Sequence, residues 1–432
     1  MYISENLGTN EQGNLTIGGV DVVSLAKEYG TPLYIMDEDK IRKSCRMYKD
    51  SIDKFYDGKG LVCYASKAFS CKQIYRIAKE EGIGIDVVSQ GELFTAMSVD
   101  FDSKKICYHG NNKTRKELIY ALECGVSRIV VDSFTELNML DEIAGQMGVN
   151  IGILLRLSPG VDAHTHDFIQ TGKIDSKFGF AIELGTAMEV VKLAIEKKNL
   201  TLLGIHCHIG SQIFDLEPFE HTAKVMLQFI ADIKKATGYE IAELNLGGGF
   251  GIKYVSQDDP VEYDSYMKSV SVVVKETAKK LDVKLPFIII EPGRSIVGSA
   301  GVTAYEIGNV KEIPGVRTYV SVDGGMTDNI RYALYESEYD FVVANKATEP
   351  KTEKVTIAGR CCESGDLLAK DTMVQKCKPG DILATLATGA YNYSMSSNYN
   401  RTLKPAVVFV KEGKSYVAVK RETLEDIIRN DI

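Results

Sequence analysis

Lys67 stands inside "LVCYASKAFS", where apolar residues lead through a tyrosine to an amine with no acidic neighbour in the stretch. Downstream, "LGGGFG" supplies Gly247, Gly248, Gly249 and Gly251, whose backbone N–H groups can converge on an anion without side-chain obstruction. Ser211 and the backbone of Gly293 offer further donors, although a glycine run by itself serves a tight turn equally well. Glu291 ends the apolar "IIIE", and a buried carboxylate without a partner is costly. Its partner is either Arg294, three residues on, or a cationic ring nitrogen. A strand-end lysine, a phosphate cup and a buried carboxylate together meet the needs of pyridoxal 5'-phosphate. The lysine forms a Schiff base, and the carboxylate keeps the ring nitrogen protonated so that the ring acts as an electron sink. Partial burial is expected to lower the pKa of Lys67 and ease that condensation.

His206 and His208 alternate along one segment, so both can face the same side of a strand. Stacking on a flat cofactor is preferred to metal ligation, because no second group of Asp, Glu or His with ligand spacing lies nearby. "DAHTHD", residues 162–167, reads as a closing or substrate-facing loop, with a plain solvated loop as the alternative.

These residues need rigid elements to hold them. Strand-length apolar runs begin at 61, 83, 105 and 128, and again at 151, 202, 243 and 286. Between them lie helical patterns such as Leu184, Met188, Val191 and Ile195, or Tyr266, Val270, Val273 and Thr277. Strands apolar on both faces that alternate with helices mean a parallel sheet. Eight such units predict a closed (β/α)8 barrel over residues 36–296, with an open doubly wound sheet as the alternative. In such a barrel, chemistry gathers after the C-terminal ends of the strands. Lys67, "DVVSQGE", "HGNNK", "HCHIGSQ", "GGGFG" and "EPGRS" all fall there. From residue 297 the rhythm changes to "TYVSVDGG", "KVTIAG" and "AVVFVKEGKSYVAVK", the last a hairpin turning at "KEGK". Residues 297–432, joined by 1–35, are expected to form a mostly β domain.

The chain has 432 residues and a formal net charge of −8, with basic and acidic residues interspersed. That balance argues against a nucleic-acid binder, which would carry a basic stripe. No apolar run reaches membrane-spanning length, and "MYISENLGTNEQGN" has no signal-like region. The nine cysteines contain no CxxC pair and cannot all pair internally. They fit a reducing, cytoplasmic location.

The motifs "YASKA", "DVVSQGEL", "RLSPGVDAHTHDFIQTGKIDSKFGF", "HIGSQI", "LGGGFGI", "EPGRSIVG", "CESGD" and "GAYNYSMSSNYN" run through nearly the whole chain. In that order they resemble the diaminopimelate decarboxylases, alanine-racemase-like pyridoxal phosphate enzymes. The resemblance implies that Lys67 is the Schiff-base lysine and that His208 stacks on the ring. It implies that Ser211, Gly248, Gly249, the Gly293–Arg294 backbone and the Tyr391 hydroxyl hold the phosphate, and that Glu291 meets the ring nitrogen. Arg294, Arg331, Tyr335, Glu363 and Tyr391 are implied to bind substrate, with Cys362 near the reacting carbon. The "CESGD" segment is implied to enter the site from a second subunit, hence a homodimer with shared sites. The implied reaction is loss of CO2 from the D-centre of meso-2,6-diaminopimelate to give L-lysine, the last step of lysine biosynthesis.

The sequence departs from the family pattern at several places. Phe69 stands where Asn is common, Gln90 where Gly is commoner, and Arg360 replaces a common Pro. "RYALYESEYD" lacks a Pro after Arg331 and a downstream His, and "YNRTLKPA" lacks an Arg-Pro-Arg run. These changes bear on substrate tuning and remove no cofactor residue. Decarboxylases of ornithine, arginine or carboxynorspermidine would share the barrel, the lysine and the phosphate loop. Those for plain diamino acids typically place an aspartate after the cysteine. Here Glu363 follows Cys362, and Arg294, Arg331 and Tyr335 suit a second carboxylate. A non-catalytic regulatory relative is the reading from another class, and the presence of both Lys67 and Cys362 argues against it.

Overall fold

Each of the eight apolar segments forms a parallel strand, in the computed structural model that describes residues 2–161 and 176–432. In order they are Gly60–Ala65, Gly84–Val87, Ile106–Tyr108, Arg128–Val131, Ile151–Ser158, Leu200–His206, Glu243–Asn245 and Phe287–Ile290. Every strand pairs with its neighbour in sequence, and the eighth returns to the first through Ile288 opposite Gly60, so the barrel closes. Closure demands close backbone approach. At Gly204, in the sixth strand, an added Cβ would lie 2.2 Å from the Glu243 carbonyl oxygen, which excludes any side chain there.

The two ends of the barrel differ in chemistry. Near the strand starts, Arg128 donates two hydrogen bonds to Glu243, at 2.8 and 2.7 Å. Above this pair lies a small apolar layer of Cys63, Cys107, Val130, Leu154 and Ile289. At the strand ends, short polar loops lead into helices. Ser89, Thr114 and Ser133 accept backbone N–H groups of the turns that follow strands two to four, which fixes where each loop stops. The pattern beginning at Leu184 is shorter than expected. The helix is Thr186–Glu196, entered through Gly185 at φ 81°, so Leu184 is exposed and outside it. The "DAHTHD" loop falls outside the described residues.

A nine-stranded mixed sheet forms a second layer of structure. Its spine is Gly301–Ile313, flanked by Leu33–Asp37 and by Arg317–Val322. Leu33–Asp37 also pairs in parallel with Ala406–Lys411, so an early strand lies between two late ones. The expected hairpin forms from Ala406–Lys411 and Lys414–Val419. Its turn residues, Glu412 and Gly413, both have positive φ, as a tight hairpin requires. Upstream of these, residues 7–9, 15–17 and 20–21 make a three-stranded antiparallel sheet followed by the helix Val22–Tyr29. All nine cysteines are free. No helix among the described residues is long and apolar enough to cross a membrane.

Candidate active site

At the strand-end face of the barrel lies a cavity of about 590 Å³, within the range of small-ligand sites. Lys67, His208, Ser211, Gly248, Gly249, Glu291, Gly293, Arg294, Arg331, Tyr335 and Tyr391 all line it.

Lys67 sits in the single turn Ser66–Ala68 that follows the first strand. Two hydrogen bonds tie down its surroundings: Ala65 N–H donates to the Pro292 carbonyl at 3.0 Å, and Tyr391 N–H to the Ala68 carbonyl at 2.7 Å. The lysine is exposed and lines the cavity. Burial acts to lower its pKa, as expected from the sequence, yet the net direction is upward because Asp86 and Tyr391 favour the ammonium form. The expectation of a lowered pKa is therefore corrected. The reason is Asp86, buried at the end of strand two, one of whose oxygens, Oδ1, has no hydrogen-bond partner among the described residues.

Glu291 does not pair with Arg294. Its Oε1 accepts hydrogen bonds from His109 Nε2 at 2.7 Å and Asn245 Nδ2 at 2.6 Å, and its Oε2 accepts one from His206 Nε2 at 3.1 Å. Burial pushes its pKa upward, but the two histidines outweigh that and hold the group well below the ordinary carboxylate range. Burial moves the neighbouring His206 the other way, down to about 4, so the ring is neutral at neutral pH. His109, His206 and Glu291 present ligand-type atoms all within 4.8 Å of one another. Sequence spacing did not disclose that cluster, because its members come from strands three, six and eight.

Arg294 has other partners. Its guanidinium donates to Ser211 Oγ at 2.9 Å and to the Tyr254 hydroxyl, and lies 4.8 Å above the Tyr391 ring. His208 Nδ1 accepts the Gly248 N–H at 3.3 Å, and burial, with Lys67 and Arg156 nearby, drives its pKa well down. The glycine loop is packed as tightly as its composition suggests. A Cβ at Gly248 would lie 2.1 Å from the Glu291 carbonyl oxygen, and one at Gly249 (φ 113°) 2.6 Å from that of Gly210. Ile213 N–H donates to the Gly249 carbonyl, and Gln212 clasps both backbone groups of Ile252. The loops after strands six and seven are thereby joined. Among the described residues the N–H groups of Gly249 and Gly293 have no protein acceptor, which leaves donors for an anion at this end.

Arg331 begins the short helix Arg331–Tyr335 and stacks against Tyr335 and Tyr391 at 5.4 and 5.5 Å. Cys362 and Glu363 are the predicted residues that the chain does not bring to this cavity. Both are exposed on the turn between strands Lys351–Ala358 and Leu367–Gln375. That turn is fastened by the buried Asp366, which accepts the N–H groups of Met326 and Cys361, and by Asn400, which accepts that of Cys362. Asp86, His109, Asn111, Arg156 and Lys177 also line the cavity, although the sequence reading gave them no role. For the first four the available signal was a polar residue at or just past a strand end, whereas Lys177 lies 19 positions beyond Ser158, the end of the fifth strand. The family departures lie mostly off the site: Phe69 is buried against Tyr393 and Phe409, and Arg360 is exposed.

The donor set fits a pyridoxal phosphate. An amine and an ionised carboxylate line one cavity, with an imidazole and a cluster of unfilled backbone donors on the same walls. Comparison with known proteins agrees. The sequence profile described as "Pyridoxal-dependent decarboxylase, pyridoxal binding domain" matches residues 38–298. The diaminopimelate decarboxylase of Bacillus methanolicus is 49% identical over 98% of this chain and 98% of its own length. That of Bacillus subtilis (strain 168) is 46% identical over 100% of this chain and 98% of its own length. Among solved structures, the diaminopimelate decarboxylase from M. jannaschii, in complex with L-lysine, superposes with a TM-score of 0.91 at 36% identity. That match covers 100% of this chain and 99% of the other.

Proposed function

The chain belongs to the diaminopimelate decarboxylase family of pyridoxal-dependent enzymes, and we infer from that premise that it converts meso-2,6-diaminopimelate to L-lysine and CO2. Pyridoxal 5'-phosphate, when bound, supplies an electron sink for the carbanion left as CO2 departs. Everything else falls to side chains and backbone of this chain.

In this reading Lys67 would hold the cofactor through its aldehyde. Glu291 would meet the ring nitrogen, and His208 would lie against the ring. Ser211, Gly248, Gly249, the Gly293–Arg294 backbone and Tyr391 hold the phosphate. Arg294, Arg331, Tyr335 and Tyr391 bind substrate carboxylate and polar groups, two cations and two hydroxyls suited to a substrate with a second acid. The residues expected to finish the site, Cys362 near the reacting carbon and Glu363 on the distal amine, lie on an exposed turn away from this chain's own cavity. That placement supports a homodimer in which the turn carrying Cys362 and Glu363 completes the site of the other copy, while Arg331, Tyr335 and Tyr391 of residues 297–432 line the cavity of their own chain. The absence of a membrane-crossing helix among the described residues and the biosynthetic reaction support a cytoplasmic location.

The observation that carries the reading is the shared cavity, in which Lys67 and an ionised Glu291 line the same walls beside a glycine-lined anion cup. The test uses the purified, cofactor-loaded protein with each of three substrates. CO2 release from meso-diaminopimelate and none from ornithine or arginine is the expected result. Preferred release from either basic amino acid would assign the chain to another decarboxylase.

A further inference from the structure

Glu291 occupies an unusual environment for a carboxylate that must face a ligand. Three side chains from three other strand ends donate to it, and each is itself buried. Asn245 has its amide orientation fixed, because its Oδ1 accepts the Gly247 N–H at 2.9 Å and so turns the NH2 group to Glu291. The backbone adds a second tie, with Glu291 N–H donating to the Gly247 carbonyl at 2.8 Å. His206 shows what the arrangement costs. With Nε2–H committed to Glu291, its Nδ1 is buried with no partner among the described residues. Leaving a buried polar atom unpaired is unfavourable, so delivery of that one N–H outweighs it.

We propose that His109, His206 and Asn245 are positioning residues that hold Glu291 as a carboxylate and direct its remaining acceptor capacity into the cavity. An ionised carboxylate has about four acceptor sites. Oε1 is filled by two donors, whereas Oε2 has one, so Oε2 is the oxygen left for the ring nitrogen of the cofactor. Each donor lowers the proton affinity of Glu291, which leaves the shared proton on the ring. Asn245 also links this end of the site to the other, since the residue that orients it, Gly247, opens the glycine loop. The inference rests on the reading that Glu291 meets the ring nitrogen.

The test reads the proton directly, by 15N NMR of holoenzyme loaded with ring-labelled pyridoxal phosphate. Glu291→Gln is expected to move the ring-nitrogen signal to its unprotonated position. An unmoved signal there would overturn the underlying reading itself. With that established, His206→Leu should shift the signal part of the way and lower kcat about tenfold, the cost of one hydrogen bond to a charged group. KM should change little. His206→Gln, whose amide nitrogen can reach the Nε2 position, should restore both. In the Glu291→Gln background, His206→Leu should add less than about twofold, as coupled residues do. Asn245→Ala provides the same comparison where His206→Leu yields no folded protein. A wild-type signal in the donor-deleted variant, or a Gln variant as damaged as the Leu variant, would overturn the proposal.

Discussion

Two glutamates of this protein occupy opposite kinds of place. Glu291 is buried at a strand end and accepts three side-chain hydrogen bonds of 2.6–3.1 Å. Glu363 lies exposed on a turn, and its side chain accepts the Gly365 N–H at 3.2 Å. The same contrast separates Lys67, which lines the cavity at the strand-end face of the barrel, from Cys362, exposed beside Glu363 and away from that cavity. A charge that must stay fixed through a reaction is held by rigid strands and their neighbours. Groups on an exposed turn gain comparable definition only when another surface covers them. In the proposed homodimer, the cofactor chemistry would lie within one chain and the recognition of the substrate's far end between two.

The most severe test of the cavity half is Lys67→Ala. Turnover should fall by about 10³-fold or more, the scale for loss of a covalent catalytic group, and the lysine-linked absorbance of the cofactor should vanish. Mass spectrometry after borohydride reduction checks this, and a cofactor still fixed to the variant would identify another lysine. Glu291→Gln comes next. Keeping its shape but not its charge, it should lose on the order of 10²-fold in kcat, the scale for one electrostatic stabiliser, while cofactor affinity measured by fluorescence titration changes much less. Near-normal turnover would reduce Glu291 to a structural residue.

The other half of the contrast is broken or sharpened by mixing. Lys67→Ala and Cys362→Ala, each inactive, should regain about one quarter of wild-type activity after subunit exchange, since half the dimers then carry one intact site. Proven exchange without recovery would return Cys362 to its own chain's site. The smallest expected effect concerns acid stability. His206 has a pKa of about 4 in the fold against an ordinary 6.5, so the unfolded chain binds more protons between those values. The stability it helps define is full above pH 6.5 and is lost as pH falls toward 4. His206→Gln should flatten that part of the stability-against-pH curve by on the order of 2–3 kcal/mol. Denaturant melts at pH 7, 5.5 and 4 check the difference. An unchanged slope would mean that the ring protonates freely in the folded protein.

Much of the molecule is written in local pattern. Strand-length apolar runs alternating with helical patterns specified all eight strands, and the loss of that rhythm after residue 297 specified the change to a mostly β architecture. Lys67, Glu291 and the 247–251 glycines were visible because each is anomalous where it stands: an amine or acid ending an apolar run, or three successive residues without side chains. The partners of those residues were not visible. Glu291 meets His109, His206 and Asn245 rather than Arg294, three residues away, because barrel closure and strand register bring together the ends of strands three, six, seven and eight. Asp86 reverses the expected pKa direction of Lys67 for the same reason: it ends the adjacent strand, 19 positions along the chain. Periodicity records which face of an element is apolar, and that is a property of neighbours in sequence. Which polar ends converge depends on register summed around a closed sheet, and only the folded barrel fixes that sum.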